Sequence, residues 1–205
     1  MRLIAAFAFC LLVPQITAVQ TASAQDWAGP YAGGQLSWDN FAVEDRNYGT
    51  GPKTINGAGF GVFGGYNFQS GPWVYGPELQ LTKHSAEGDV DEYFLPATIE
   101  SSVGLRARVG YATGKTLPYL AIGAASTRWN ADHEGLGNPA DFGHATARGI
   151  SVALGVDVAM QANSFLRIEV ETTRYNDSDI LFHEVDPHGY GLNNTRISVG
   201  YAIRF

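Results

Sequence analysis

The sequence predicts an all-β chain folded as an eight-stranded antiparallel up-and-down transmembrane β-barrel, and three observations carry that prediction. Segments of about ten alternating apolar and polar residues recur from residue 30 to the C-terminus. The connections between them alternate between tight turns and longer polar stretches. The polar face of these segments holds charges of both signs interleaved with glycines, whereas a soluble sandwich or lipocalin-like barrel buries its apolar face and solvates its polar one.

The N-terminus reads as an export signal. Arg2 is a short positive region, Leu3 to Val13 is an almost unbroken apolar run, and Ala22-Ser23-Ala24 is a small-x-small cleavage site. The run is too short to span a bilayer, which takes about 20 apolar residues. Cleavage after Ala24 divides the chain into residues 1–24, the signal peptide, and residues 25–205, the barrel. Cys10 leaves with the signal, so no disulfide is expected in the exported part. Arg2 leaves too, and 12 Lys and Arg against 20 Asp and Glu give a net charge of −8. That acidic balance, with no basic cluster, argues against a nucleic-acid partner.

The strands follow in order. The first, Pro30 to Phe41, sets Ala32, Gly34, Leu36 and Trp38 against Gly33, Gln35, Ser37 and Asp39. The second, Ile55 to Phe68, groups Phe60, Val62, Tyr66 and Phe68 opposite Gly57, Gly59, Gly61, Gly65 and Asn67, and Gln69-Ser70-Gly71-Pro72 closes it with a tight turn. The third, Trp73 to His84, opposes Trp73, Tyr75, Leu79 and Leu81 to Val74, Gly76, Glu78, Gln80 and Thr82. The fourth, Thr98 to Ala112, opposes Ile99, Val103, Leu105, Val109 and Tyr111 to Glu100, Ser102, Arg106 and Arg108, with a turn at Thr113-Gly114-Lys115-Thr116. The fifth, Leu117 to Asn130, is apolar on both faces and its register stays open. The sixth, Ala145 to Met160, opposes Ile150, Val152, Leu154, Val156 and Val158 to Gly149, Ser151, Gly155 and Asp157, and turns at Gln161-Ala162-Asn163. The seventh, Ser164 to Tyr175, opposes Leu166, Ile168, Val170 and Thr172 to Arg167, Glu169, Glu171 and Thr173. The eighth runs through Thr195, Ile197, Val199, Tyr201, Ile203 and Phe205, with Asn194, Arg196, Ser198, Gly200, Ala202 and Arg204 opposite.

The four longer connections are residues 42–54, 85–97, 131–144 and 177–192. An even strand number places both termini with the short turns on the periplasmic side and the long connections outside the cell. Phe68, Trp73, Tyr75, Tyr111, Tyr119, Phe165, Tyr201 and Phe205 fall beside the short turns, as an aromatic girdle at one membrane interface would.

Specific residues then resemble a family. Trp27-Ala28-Gly29-Pro30-Tyr31-Ala32-Gly33 looks like the W-x-G-x-Y-x-G opening of the OmpA-like and opacity-type outer-membrane barrel superfamily, often described as porin-like. Arg108-Val109-Gly110-Tyr111-Ala112 with Leu117-Pro118-Tyr119 resembles its middle motif, and Gly200 to Phe205 resembles its terminal strand. The resemblance implies an eight-stranded barrel in the bacterial outer membrane. It also implies insertion by the barrel assembly machinery, which recognises the terminal Phe205 as an assembly signal, and surface loops that are often antigenic. It implies no single activity.

The candidate site is the set of interior charges: Glu78, Arg106, Arg108, Arg167, Glu169, Glu171, Arg196 and Arg204. An eight-stranded interior is only wide enough for side chains, so these are expected as a paired, static plug rather than as a gate. His84, His133, His144, His183 and His188 lie toward the long connections but lack metal-ligand spacing. The acidic groups Glu87, Asp89, Asp91, Glu92 and Asp177, Asp179, Glu184, Asp186 match no calcium loop. No catalytic residue, metal or cofactor is expected. The expected function is structural and surface-interacting: envelope integrity, adhesion or recognition through the long connections, with outer-membrane lipid and lipopolysaccharide as surroundings. The alternatives are a narrow porin-like channel and a lipid-A-modifying enzyme, the latter needing a Ser and His poised on the lipid face.

Overall fold

The computed structural model describes residues 25–45, 53–89, 96–131, 143–161, 163–176, 178–181 and 187–205. The expected signal peptide, residues 1–24, lies outside them. The described chain contains no helix.

Eight long strands form the barrel: β1 (Gly29–Asp45), β2 (Lys53–Ser70), β3 (Trp73–Asp89), β4 (Pro96–Tyr111), β5 (Thr116–Ala131), β6 (Gly143–Gln161), β7 (Ser164–Tyr175) and β9 (Pro187–Arg204). A short β8 (Ser178–Leu181) pairs only with the outer end of β9. Each long strand is antiparallel to its sequence neighbour, and β1 pairs with β9, so the sheet closes and leaves no long edge. In hydrocarbon every backbone polar group needs a partner, and closure supplies it. Following paired residues round the sheet from Tyr31 through Gly65, Glu78, Arg106, Gly123, Ser151, Thr173 and Asn194 returns to β1 at Phe41, ten residues further on. That offset measures the tilt of the strands against the barrel axis.

The tight turns need glycine at two points. Gly71 and Gly114 each take φ of 58°, a left-handed conformation that a side chain disfavours.

At the other end the strands outrun expectation. β1 continues to Asp45, β3 to Asp89, and β9 begins at Pro187, so much of the stretches read as loops 42–54, 85–97 and 177–192 is sheet. Above the bilayer both faces of a strand meet water, so the alternation that marks a strand within lipid disappears.

Side chains sort as the alternation predicts over most of the barrel. Leu36, Phe60, Leu79, Leu105, Leu154, Val170 and Val199 face outward, and Leu36, Leu105 and Leu154 are 60–70% exposed, which only a lipid solvent makes favourable. β5 proves to alternate too, with Leu117, Tyr119, Ala121, Thr127 and Trp129 inward and Leu120 and Ile122 outward. An arginine at Leu154, in the middle of this outer belt, is expected to cost about 2–4 kcal/mol. Guanidinium unfolding of L154R refolded into vesicles would read that loss, and an unshifted midpoint would place Leu154 outside the hydrocarbon.

Three expectations are corrected. Ile99 was read as outward but is fully buried, because the pairing register steps by one residue beside Glu100 on both flanks of β4 and inverts the alternation beyond it. Tyr119 and Phe165, read as girdle aromatics, point inward. Phe68, Trp73, Tyr75, Tyr111, Tyr201 and Phe205 do stand outside beside the turns, joined by Tyr66. There Trp73 and Tyr111 meet edge to face at 5.2 Å, and Phe68 stacks on Tyr75 at 5.8 Å.

Candidate functional site

The lumen is layered. At the end that carries the short turns, the one expected to face the periplasm, Trp27, Tyr31, Phe63, Val74, Ala112, Leu117, Ala159, Phe165 and Ala202 form one apolar cluster. At the outer end Phe41, Ile55, Ala86, Ile99, Trp129, Ala147, Tyr175 and Leu192 form another, with one residue from each long strand. Between the two lies a polar network.

Glu78 on β3 is its hub. Its Oε1 accepts from Arg106 Nε at 2.8 Å and Nη2 at 2.5 Å, and its Oε2 accepts from Arg167 Nη1 at 2.7 Å, Arg108 Nη1 at 3.3 Å and the Tyr31 hydroxyl at 2.6 Å. Arg106 also donates to Glu169 from both Nη atoms, at 2.8 and 2.7 Å, and to Glu171 at 2.7 Å. Asp157 on β6 receives Arg167 Nε at 2.8 Å and Arg108 Nη2 at 2.6 Å. The Tyr119 hydroxyl donates to Glu169, and its ring lies 3.9 Å from the Arg108 guanidinium carbon. Planar guanidinium forks suit such multiple carboxylate contacts, and charge-assisted bonds of this kind are the strong ones.

A second cluster sits above the first and is joined to it by Arg196 on β9. Arg196 donates to Asp39 at 2.8 Å and to Gln80 at 3.0 Å, and lies 3.4 Å from Glu171. Asp39 also accepts from Asn194 at 3.0 Å and Ser37 at 2.8 Å. His84 Nδ1 lies 3.2 Å from Asp39, and its Nε2 lies 2.8 Å from Ser102 Oγ. Ser102 is in turn 2.7 Å from Thr127, which is 2.7 Å from the Tyr175 hydroxyl. A carboxylate only accepts, so Nδ1 donates to Asp39; a neutral ring then accepts from Ser102, and the row of hydroxyls runs in one direction from Tyr175.

Ser102, His84 and Asp39 are thus connected in the order found in serine hydrolases. Their surroundings differ from such a site. All three are buried, Phe41 stacks edge-on over His84 at 5.4 Å, and the outer apolar ring lies above them. A substrate would have to displace that layer.

Seven of the charges singled out from the sequence lie in this network: Glu78, Arg106, Arg108, Arg167, Glu169, Glu171 and Arg196. Arg204 does not join them. It stands at the periplasmic rim, where it donates to the Asp26 carbonyl and its guanidinium lies 5.0 Å from the Trp27 ring. It lies on the inward face, but one strand-end too low to reach a carboxylate of the plug. Sequence reasoning missed Asp39 and Asp157 as members, and also Tyr31, Tyr119 and the Ser102–His84 pair. Both aspartates sat on strand faces already read as polar, so parity was the available signal; the partners lie on other strands and left none. The side chains of His133, His144, His183 and His188, and those of the two acidic groups, lie outside the described residues. Among the described residues no group of three or more His, Cys, Asp or Glu side chains is placed to hold a metal ion.

The short motifs now have physical roles. Trp27 fills the periplasmic mouth, where its backbone is held by Gln69 at 2.6 Å and Asn67 at 3.1 Å. Gly29 takes φ of 111°, and Tyr31 reaches the hub. Arg108 enters the network, Tyr111 joins the girdle, and Tyr119 lies against Gly155, where a Cβ would come within 2.5 Å of its ring. Phe205 is 78% exposed beside the periplasmic rim, its backbone N–H donating to Pro30 at 3.0 Å.

The family model described as the outer membrane protein beta-barrel domain matches residues 7–205. The chain belongs to this family. It is an outer-membrane β-barrel protein, and its relatives carry outer-membrane names. It is 27% identical over 184 residues to the 25 kDa outer-membrane immunogenic protein of Brucella abortus biovar 1 (strain 9-941), covering 89% of this chain and 82% of that one. It is 28% identical over 191 residues to the 22 kDa outer membrane protein of Rhizobium leguminosarum bv. viciae, covering 86% and 78%. Among solved structures, this barrel resembles OprG from Pseudomonas aeruginosa with a TM-score of 0.57 and 14% identity, over 87% of this chain and 96% of that one. It resembles Neisserial surface protein A with a TM-score of 0.55 and 17% identity, over 87% and 98%. At such identities the likeness to solved structures speaks for the fold alone.

Proposed function

We propose that this outer-membrane barrel is a closed scaffold, not a catalyst or a channel, and that it acts by strengthening the envelope and presenting its outer connections to partners. One observation carries the reading: a fully paired charge network is enclosed between two apolar layers that span the lumen. Ions crossing it would have to pass both layers and break buried ion pairs, each costly to separate. That argues against the porin-like reading. Against the lipid-A-modifying reading stands the position of His84 and Ser102, which face the lumen rather than lipid.

Export through a signal cleaved after Ala24, insertion by the barrel assembly machinery with Phe205 as its signal, and host or surface ligands at the outer connections belong to the same proposal. Immunogenic relatives support exposure of those connections on the cell surface.

Refolded protein is expected to leave planar bilayers silent, and steady single-channel steps would sink the scaffold reading. Replacing residues 46–52, 90–95, 132–142 and 182–186 by short turns is expected to preserve heat-modifiable migration on gels while abolishing cell adhesion. Adhesion that persists would move the interaction away from the connections.

A further inference from the structure

Arg128 on β5, Arg148 on β6 and Arg174 on β7 all point outward and are exposed. Arg128 pairs with Thr146, Arg148 with Ser126 and Arg174 with Ile150, so each arginine sits two residues closer to the periplasm along the pairing direction than the one before. The barrel tilt carries that direction outward by ten residues over eight strands, just over one per strand. The two steps nearly cancel. The three arginines therefore form a row close to parallel with the membrane plane, neighbours about 7–8 Å apart at the backbone.

The row stands at the upper border of the lipid belt. Ile122, Ile150 and Val170, all exposed, lie below it. Among the described residues the outer faces of β5, β6 and β7 carry no acidic side chain, and no hydrogen bond or ion pair ties up any of the three guanidinium groups. Glu100, at the β4 bulge, borders the row at the Arg128 end.

We infer that this row binds the phosphates of a multiply phosphorylated glycolipid of the outer leaflet, a lipopolysaccharide. Three chemical features meet there. Guanidinium forks match phosphate oxygens in pairs. The height matches the headgroup layer, where the dielectric falls and such pairs strengthen. The apolar side chains beneath accept acyl chains. The site lies on the lipid face and is independent of whether the outer connections bind a partner.

The test uses the whole barrel in zwitterionic detergent micelles, with lipid retention followed by native mass spectrometry. Diphosphorylated lipid A is expected to bind wild type, and R128Q/R148Q/R174Q is expected to bind at least tenfold more weakly with unchanged heat-modifiable migration. K83Q, which removes an outward charge on β3, is expected to bind like wild type. If the triple variant fails to fold, each single variant is expected to show a several-fold loss. Dephosphorylated lipid A, or phosphatidylglycerol of matched charge, binding wild type as tightly as diphosphorylated lipid A would overturn the inference. Undiminished binding by the triple variant, or an equal loss in K83Q, would do the same.

Discussion

Replacing Glu78 by alanine is expected to destabilise the folded barrel by about 3–5 kcal/mol, the loss typical of removing one partner from a buried ion pair. The reason is geometric. Arg106, Arg108 and Arg167 converge on one carboxylate, and Tyr31 adds a fourth donor. Alanine leaves Arg108 and Arg167 to share Asp157 alone, and Arg106 to lean on Glu169 and Glu171. Glu171→Gln is a milder change, since it keeps an acceptor oxygen and its two arginines retain other carboxylates. The denaturant midpoint of refolded E78A against wild type and E171Q reads the difference. A midpoint for E78A equal to that of E171Q would show that Glu78 is not the hub.

The second large effect is expected at Phe41. Truncation to alanine removes a fully buried ring from the outer apolar layer and should cost about 3–5 kcal/mol through lost burial and a residual cavity. It also uncovers His84, over which the ring stacks. Phe68 is a matched control, because its ring faces lipid or headgroups in any case and its removal opens no cavity in the lumen. The expected pattern is a lowered unfolding midpoint for F41A, little change for F68A, and bilayers silent for both, because the charge network and the periplasmic layer remain. An ion current through F41A would show that the outer layer alone seals the barrel.

How much of this was legible beforehand depends on what each face of a strand touches. β1, β2, β6 and β7 read more directly, because most of their outward positions are aliphatic or aromatic and most of their inward positions are polar, glycine or alanine across the lipid belt, with Phe63 and Phe165 as the exceptions. β5 did not, since Leu117, Tyr119 and Ala121 belong to apolar lumen clusters while Leu120 and Ile122 meet lipid. Hydropathy cannot separate a side chain in lipid from one in an apolar plug. The same ambiguity moved Tyr119 and Phe165 to the wrong face. Ile99 failed for another reason: a one-residue register step leaves no mark in composition. In the site, parity placed the charges inside, but pairing depends on height, which follows from the tilt. Arg204 has the right parity and the wrong height.

The pair Asp39–Arg196 lies across the seam where the first strand meets the last. Every other pairing of the barrel joins long strands consecutive along the chain, but this seam joins residues 157 positions apart. Until it closes, Arg196 lacks Asp39, Asn194 lacks its acceptor, and the upper cluster is incomplete. Glu78–Arg106, Asp157–Arg167 and Glu171–Arg196 join strands that are already neighbours in an open sheet, whereas Asp39 gains its guanidinium only when the cylinder shuts, so this one ion pair acts as a latch across the seam.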